Sequence, residues 1–428
     1  MRFCSETLGC KVNQYETQAL ETILLSRGHA AAQPGEGCDT VIINTCAVTA
    51  ESGRKSRQAV RRLHKLEPGA VIAVCGCFSQ VSPEEASALG ADLVAGSGDR
   101  HAFADALERL VRERTAVRLI DDPARRRVFE ELPAGSVAGR TRAMLKIQDG
   151  CQNFCAYCII PYARGPVRSL PLERAAAEAA RLNAEGYGEI VVTGIEISSY
   201  GKDLEGGVTL IDALEAVGAA APAARLRLGS LEPRTITEEF AARLKGLPNL
   251  CDHFHLSLQS GCDATLKRMK RRYTTDGFYE AVCLLRRYFP GCGITADLIV
   301  GFPGETEEEF EATLAFIKKC AFSAMHVFPY SVRPGTPAAV MDGQVDKQVK
   351  HARARRASAA ARAMSRAFAE SCVGTTLDVL FEREEDGVCC GHAGNYLEVG
   401  VSGAALRNQR LKVYINCEKN GNLFGEIV

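Results

Sequence analysis

Three patterns of apolar and polar positions follow one another along this chain, each predicting its own architecture. Up to residue 120, short apolar runs at Arg2–Thr7, Thr40–Asn44, Val71–Val74 and Asp92–Val94 alternate with helical stretches. The helical stretches lie near Asn13–Arg27, Glu51–Leu66, Pro83–Ala88 and Ala102–Val111. Strands alternating with helices predict a small parallel α/β domain over 1–120. From 141 to 370 the alternation repeats about six times, with strands at Ala143–Ile147, Glu189–Thr193, Arg225–Leu228, Asp252–Ser257, Gly293–Val300 and Ala324–Phe328. Helices are expected near Leu172–Glu185, Leu210–Ala220, Glu238–Lys245, Gly277–Tyr288, Glu307–Lys318 and Asp346–Ala369. Six such units predict a partial (β/α)6 barrel whose site lies at the strand C-termini. From 371 to 428 five short β runs with Gly- and Asn-rich turns predict a small antiparallel, OB-like barrel. Between the first two blocks, residues 121–140 hold Arg125-Arg126-Arg127, Pro133, Gly135 and Gly139 and read as a linker.

Composition narrows the class. The 428 residues are 46% hydrophobic and 24% charged, ordinary for a globular chain of two to four domains. Lys+Arg and Asp+Glu both number 52, so net charge alone implies no acidic partner. No apolar run approaches 18 residues and no charged-then-apolar leader is present, so a cytoplasmic address is expected. Eighteen cysteines in a long chain of this kind read as reduced thiols, not as a disulfide framework. Six of them stand out, and the rest read as small hydrophobes.

Cys151, Cys155 and Cys158 share one Gly150-led loop with C-x₃-C-x₂-C spacing. Iron–sulfur cubanes usually take four cysteines, so three thiolates leave one iron open for a small molecule. Zinc prefers four ligands, and no fourth partner is near in sequence. The loop resembles that of radical S-adenosylmethionine (SAM) enzymes. That resemblance implies a cluster that binds SAM and cleaves it to a carbon radical. Tyr157 is a flat neighbour suited to an adenine.

Cys10, Cys46 and Cys77 each fall just after one of the first three strands, where open parallel sheets bind ligands. They form either a second three-thiolate site or three isolated buried cysteines. Cys4 and Cys75 compete for the assignment but lie within or at the end of strands, whereas Cys77 follows a glycine turn. The later strand ends carry Thr193, Gly194, Ser230, Glu232, Gln259, Asp297 and Gly301, polar or glycine positions that suit a nucleoside cofactor. Basic residues cluster at Arg54–Lys65, Lys267–Arg272 and Lys350–Arg366; with an OB-like tail they point to RNA, taken as a single-stranded loop.

Thr7-Leu-Gly-Cys10-Lys-Val-Asn-Gln-Tyr-Glu-Thr17 and Gln148-Asp-Gly-Cys151-Gln-Asn-Phe-Cys155 resemble the methylthiotransferases, a radical SAM family with a C-terminal TRAM module. The likeness spans essentially the whole chain and is nearest to the branch acting on threonylcarbamoyladenosine in tRNA. It implies two [4Fe–4S] clusters, with Cys151, Cys155 and Cys158 holding the SAM-cleaving one and Cys10, Cys46 and Cys77 a sulfur-carrying auxiliary one. It further implies methylthio transfer to C2 of the base at position 37, a tRNA anticodon loop as partner and an external electron donor; the sequence leaves the oligomeric state open, with a monomer expected. Two rival substrates are isopentenyladenosine in tRNA and a ribosomal-protein aspartate. A rival of another class is a non-catalytic iron–sulfur protein that binds RNA.

Overall fold

The computed structural model describes residues 1–133, 141–403 and 405–428. Its N-terminal sheet has six parallel strands: β1 (Arg2–Thr7), β2 (Ala30–Ala31), β3 (Thr40–Thr45), β4 (Val71–Gly76), β5 (Leu93–Ala95) and β6 (Val117–Leu119), in the order 2-1-3-4-5-6. The helices around it are α1 (Lys11–Ser26), α2 (Ala50–Leu66), α3 (Cys77–Val81), α4 (Pro83–Ala88) and α5 (Arg100–Glu113). Strands β3 and β4 are buried at every position, as expected where helices cover both faces of a parallel sheet. The alternation in the sequence therefore appears as a parallel sheet. The two-residue β2 and three-residue β6 are too short to carry a period and were not expected.

The central strands are β7 (Arg142–Asp149), β8 (Arg168–Ser169), β9 (Glu189–Gly194), β10 (Arg225–Leu228), β11 (Ser230–Leu231), β12 (His253–Gln259), β13 (Gly293–Val300) and β14 (Ala324–Pro329). They form two four-stranded sheets, 8-7-9-10 and 11-12-13-14. Only Gly229 separates β10 from β11, so this pair carries one line of chain from the first sheet to the second. Apart from antiparallel β8, every pairing is parallel, and the strands follow chain order. That is the expected six-stranded partial barrel. Its helices are α6 (Ile160–Arg164), α7 (Leu172–Ala184), α8 (Leu210–Ala220), α9 (Glu238–Lys245), α10 (Asp263–Arg268), α11 (Thr275–Tyr288), α12 (Glu307–Cys320) and α13 (Lys347–Ser371). On β12, Phe254, Leu256 and Leu258 enter the helix-covered core, which leaves His255, Ser257 and Gln259 on the other face.

The chain ends in a closed five-stranded barrel of β15 (Thr376–Glu385), β16 (Val388–Ala393), β17 (Glu398–Ser402), β18 (Arg410–Lys419) and β19 (Asn422–Ile427). One continuous apolar core runs from Phe3 and Ile42 of the N-terminal sheet to Leu145 and Leu298 of the central strands, because α1 packs on β7 and β9. The barrel has its own core around Phe381, Val399 and Ile415. Arginines join the two. Arg225 donates to the His392 carbonyl at 2.8 Å and Arg227 to the Gly394 carbonyl at 3.0 Å, and both guanidiniums are held by buried Glu189. The connection 121–133 is packed: Phe129 and Leu132 are buried, and the Tyr15 hydroxyl donates to the Leu132 carbonyl at 2.5 Å. Gly135 and Gly139 of the expected linker lie outside the described residues.

Candidate iron–sulfur and SAM site

Cys10, Cys46 and Cys77 stand at the C-terminal ends of β1, β3 and β4, which are sheet neighbours. Cys10 is the N-cap of α1, Cys46 is the first residue past β3, and Cys77 opens α3. The turn into α3 is made by Gly76 at φ +104°, where a Cβ would lie 2.4 Å from Asn44 Oδ1. Asn13 binds the loops together, its Nδ2 donating to the Leu8 carbonyl at 2.8 Å and the Thr45 carbonyl at 3.0 Å. A Cβ on Gly9 would lie 3.0 Å from Cys46 Sγ, so the chain segment carrying Cys10 passes directly beside Cys46. Burial raises all three thiol pKa values, and the sulfurs add to it mutually: Cys77 acts on Cys46, Cys10 on Cys77, and Cys46 on Cys10. Cys10 is exposed as a residue although its sulfur is enclosed; Cys46 and Cys77 are buried. Cys4, in contrast, packs with Cys38 in a separate cluster, and Cys75 is buried on β4.

The second triad follows β7. Gly150, at φ +75°, turns so closely on Pro166 that a Cβ there would lie 1.8 Å from the Pro166 carbonyl oxygen. Gln148 Nε2 donates to the carbonyls of Asp149 at 2.8 Å and Gly150 at 2.6 Å, while its Oε1 accepts from the Glu196 amide at 2.8 Å. The loop closes through Cys151 N–H to the Gly165 carbonyl at 3.0 Å and Cys158 N–H to the Cys155 carbonyl at 2.9 Å. Burial, with help from neighbouring sulfurs, pushes the Cys151 and Cys158 thiols up to about 12. The Arg271 charge opposes the rise at Cys158; Arg271 donates from Nη1 to Cys155 Sγ at 3.1 Å and from Nη2 to Glu232 at 2.6 Å.

The two triads are joined by α6, which begins two residues after Cys158. Its last residue, Arg164, is fully buried and donates from Nε to Cys77 Sγ at 3.3 Å and from Nη2 to Asn13 Oδ1 at 2.9 Å. Arg164 also pairs with Glu16 of α1, which meets Lys146 at 3.0 Å and Arg100 at 2.9 Å. Lys146 in turn pairs with Asp149 at 2.7 Å. Burial alone would raise the Glu16 carboxyl, but Arg164, Lys146 and Arg100 hold it well below the usual carboxylate range. A buried ionic network thus ties the first triad to the strand and helix that flank the second.

Two family models match the chain: "Uncharacterized protein family UPF0004" over residues 2–96 and "Radical SAM superfamily" over 145–317. The chain is 40% identical to a threonylcarbamoyladenosine tRNA methylthiotransferase MtaB of Bacillus subtilis, over 93% of this chain and 89% of the relative. The MtaB of Thermotoga maritima is 38% identical over 88% of this chain and 86% of its own length. The chain belongs to the radical SAM methylthiotransferase family. A family member of different substrate name, the tRNA-2-methylthio-N(6)-dimethylallyladenosine synthase of Clostridium botulinum, is 34% identical over 82% of this chain and 79% of its own. Among solved structures, the radical SAM methyltransferase TsrM of Kitasatospora setae, with cobalamin and a [4Fe-4S] cluster bound, has the same fold. Its TM-score is 0.58 at 15% identity, covering 91% of this chain and 80% of that one.

Radical SAM methylthiotransferases are sulfur-group transferases that use SAM and [4Fe–4S] clusters. The residues here fit both groups. Each triad offers thiol sulfurs, the donor type that iron–sulfur clusters take. Around the second triad, Glu196 Oε1 and Tyr330 Oη are buried without a partner, as acceptors and donors reserved for a polar ligand would be. Burial, with Glu232 nearby, raises the Glu196 carboxyl pKa.

Apart from Asp297, the expected SAM-binding positions lie near the strand C-terminal edge that carries the cysteine loop. Thr193 and Gly194 end β9, Ser230 opens β11 and Glu232 follows it, Gln259 ends β12 at φ +65°, and Gly301 follows β13. Glu232 reaches the triad through Arg271. Asp297 sits one strand-turn below the edge, 3.3 Å from His255 Nε2. Ser230 is exposed, and the Gly301 amide is taken by Glu305 at 2.6 Å. Tyr157 is half-buried beside Arg271, with its hydroxyl pKa raised by burial. Sequence reasoning missed Arg164, Arg271, Gln148 and Glu16. Arg271 stood inside a basic run read as an RNA surface, but its side chain is 5% exposed and faces sulfur. Arg353 of the third run is likewise buried, against Glu305.

Proposed function

We propose that this chain adds a methylthio group to C2 of N6-threonylcarbamoyladenosine at position 37 of tRNA. Residues 1–120 serve as the auxiliary-cluster domain, 141–370 as the radical SAM core and 371–428 as a TRAM module. Cys151, Cys155 and Cys158 would hold the cluster that binds SAM, and Cys10, Cys46 and Cys77 the second. When bound, these groups supply one-electron cleavage of SAM and a carried sulfur, which a C2–H bond inert to acid–base chemistry requires. The observation that carries this reading is the coupling of two three-thiol sites through Arg164. A radical source and a sulfur source side by side have a use in sulfur insertion that a single SAM site lacks.

The chain's own residues do the positioning. Gln148 fixes the cysteine loop and, through the Glu196 amide, the next strand end. Glu232, Gln259, Asp297 and Tyr157 border the space in which SAM is held. An RNA partner is supported by a cavity of about 560 Å³ between α1, the central strands and the barrel, lined by Lys11, Arg142, Arg227, Arg383 and Tyr396. Exposed Lys55, Arg61 and Lys65 of α2, with Lys267, Lys270 and Arg272, extend that basic character. The target base leaves its stack to reach the site. A reductant supplies electrons, and a tRNA substrate places the enzyme in the cytoplasm; no helix among the described residues is long and apolar enough to cross a membrane.

The test is anaerobic reconstitution followed by reaction with an anticodon stem-loop carrying threonylcarbamoyladenosine. About eight irons per chain, 5′-deoxyadenosine and a methylthio product are expected. Iron binding without SAM cleavage would favour a non-catalytic RNA-binding role. Turnover only on an isopentenyladenosine stem-loop would move the enzyme to the other branch.

A further inference from the structure

Each triad has one buried arginine that donates to one of its sulfurs. Arg164 reaches Cys77 at 3.3 Å and Arg271 reaches Cys155 at 3.1 Å. Arg333 also acts on Cys46, through its charge. Neither guanidinium is free to turn away. Arg164 is fixed by Asn13 Oδ1 at 2.9 Å and by both oxygens of Glu16. Arg271 is fixed by Glu232 at 2.6 Å, the Ser257 carbonyl at 3.3 Å and the Tyr273 hydroxyl at 3.2 Å, with its guanidinium 4.9 Å from the Tyr273 ring centre. The arrangement has the same logic twice: a planar fork places one N–H on sulfur while at least one other nitrogen is held by a carboxylate.

We propose that Arg164 and Arg271 are positioning residues that separately set the reduction potentials of the auxiliary and the SAM-binding clusters, each through one N–H···S bond to a ligand sulfur. The inference rests on the two-cluster reading above. Hydrogen bonds to ligand sulfur stabilise the reduced, more negative cluster and raise its potential. Glu16 and Glu232 hold the two guanidiniums on sulfur, so the guanidinium charge and its directed hydrogen bond act together. Independent donors let one cluster be tuned for cleaving SAM and the other for carrying sulfur.

The experiment is a potentiometric EPR titration of the reconstituted full-length chain, in backgrounds that keep one cluster: Cys151→Ala/Cys155→Ala/Cys158→Ala or Cys10→Ala/Cys46→Ala/Cys77→Ala. Arg164→Gln should make the auxiliary midpoint more negative, by about tenfold in the reduction equilibrium or ~59 mV for one electron, and leave the SAM-binding midpoint in place. Arg271→Gln should do the reverse. Arg164→Lys and Arg271→Lys retain the charge opposite the carboxylate and guard against misfolding; because an ammonium lacks the fork, they should shift the same midpoints in the same direction. Unchanged midpoints in variants with native circular dichroism and full iron would overturn the proposal, as would equal shifts of both clusters by either arginine. A wild-type chain that takes up no iron would instead refute the two-cluster reading from which the inference starts.

Discussion

Cys75 and Cys77 are two residues apart and both buried, yet they face different surroundings. Cys77 interacts with Cys10 and Cys46, whereas Cys75 lies within β4 with Arg100 as its leading charged neighbour. Cys77→Ala should halve the iron of the reconstituted chain, from about eight to about four, and Cys75→Ala should leave it near eight. Equal losses from both would reassign the ligand. The preference for Cys77 was legible because a glycine precedes it. Arg164 and Arg271 were not legible, since an isolated arginine and one arginine in a basic hexamer carry no sign of burial in sequence. Their partners, Glu16 and Glu232, lie 148 and 39 positions away, and only the fold brings them together.

At the scale of elements, the cysteine loop depends on a turn that tolerates no side chain. Gly150→Ala combines strain at φ +75° with a collision against Pro166. Backbone strain alone costs about 1–3 kcal/mol. The variant should melt earlier and lose the iron of the second triad while keeping that of the first; full loading by iron assay would contradict this account of the loop. The expected strands of the N-terminal and central sheets were legible to within about two residues because each is an apolar run bounded by turn residues: Arg225–Leu228 and Gly293–Val300 coincide with β10 and β13. The five-residue helices α3 and α6 were not, because little more than one turn shows no 3.6-residue period. Both nonetheless carry residues of the site, Cys77 and Arg164.

For the molecule as a whole, Glu16 is the buried acid that ties the N-terminal sheet to the central strands. Its folded pKa is depressed, so its contribution is complete above the unfolded carboxylate value near 4.3 and is lost as pH falls below it. Urea stability of the metal-free chain should be level from about pH 8 to 5 and fall below about pH 4. Glu16→Gln leaves Arg164, Lys146 and Arg100 short of an anion and should cost about 3–5 kcal/mol at pH 7. It should also flatten the acid limb; a variant as stable as wild type, with the same acid limb, would remove the network from the account.

The nucleoside content of tRNA from cells lacking this protein tests the central claim most directly. Mass spectrometry should find 2-methylthio-N6-threonylcarbamoyladenosine absent and N6-threonylcarbamoyladenosine accumulated, with the methylthio nucleoside restored by the wild-type gene and not by Cys151→Ala. Persistence of the methylthio nucleoside at its normal level, with a different modification lost, would contradict it.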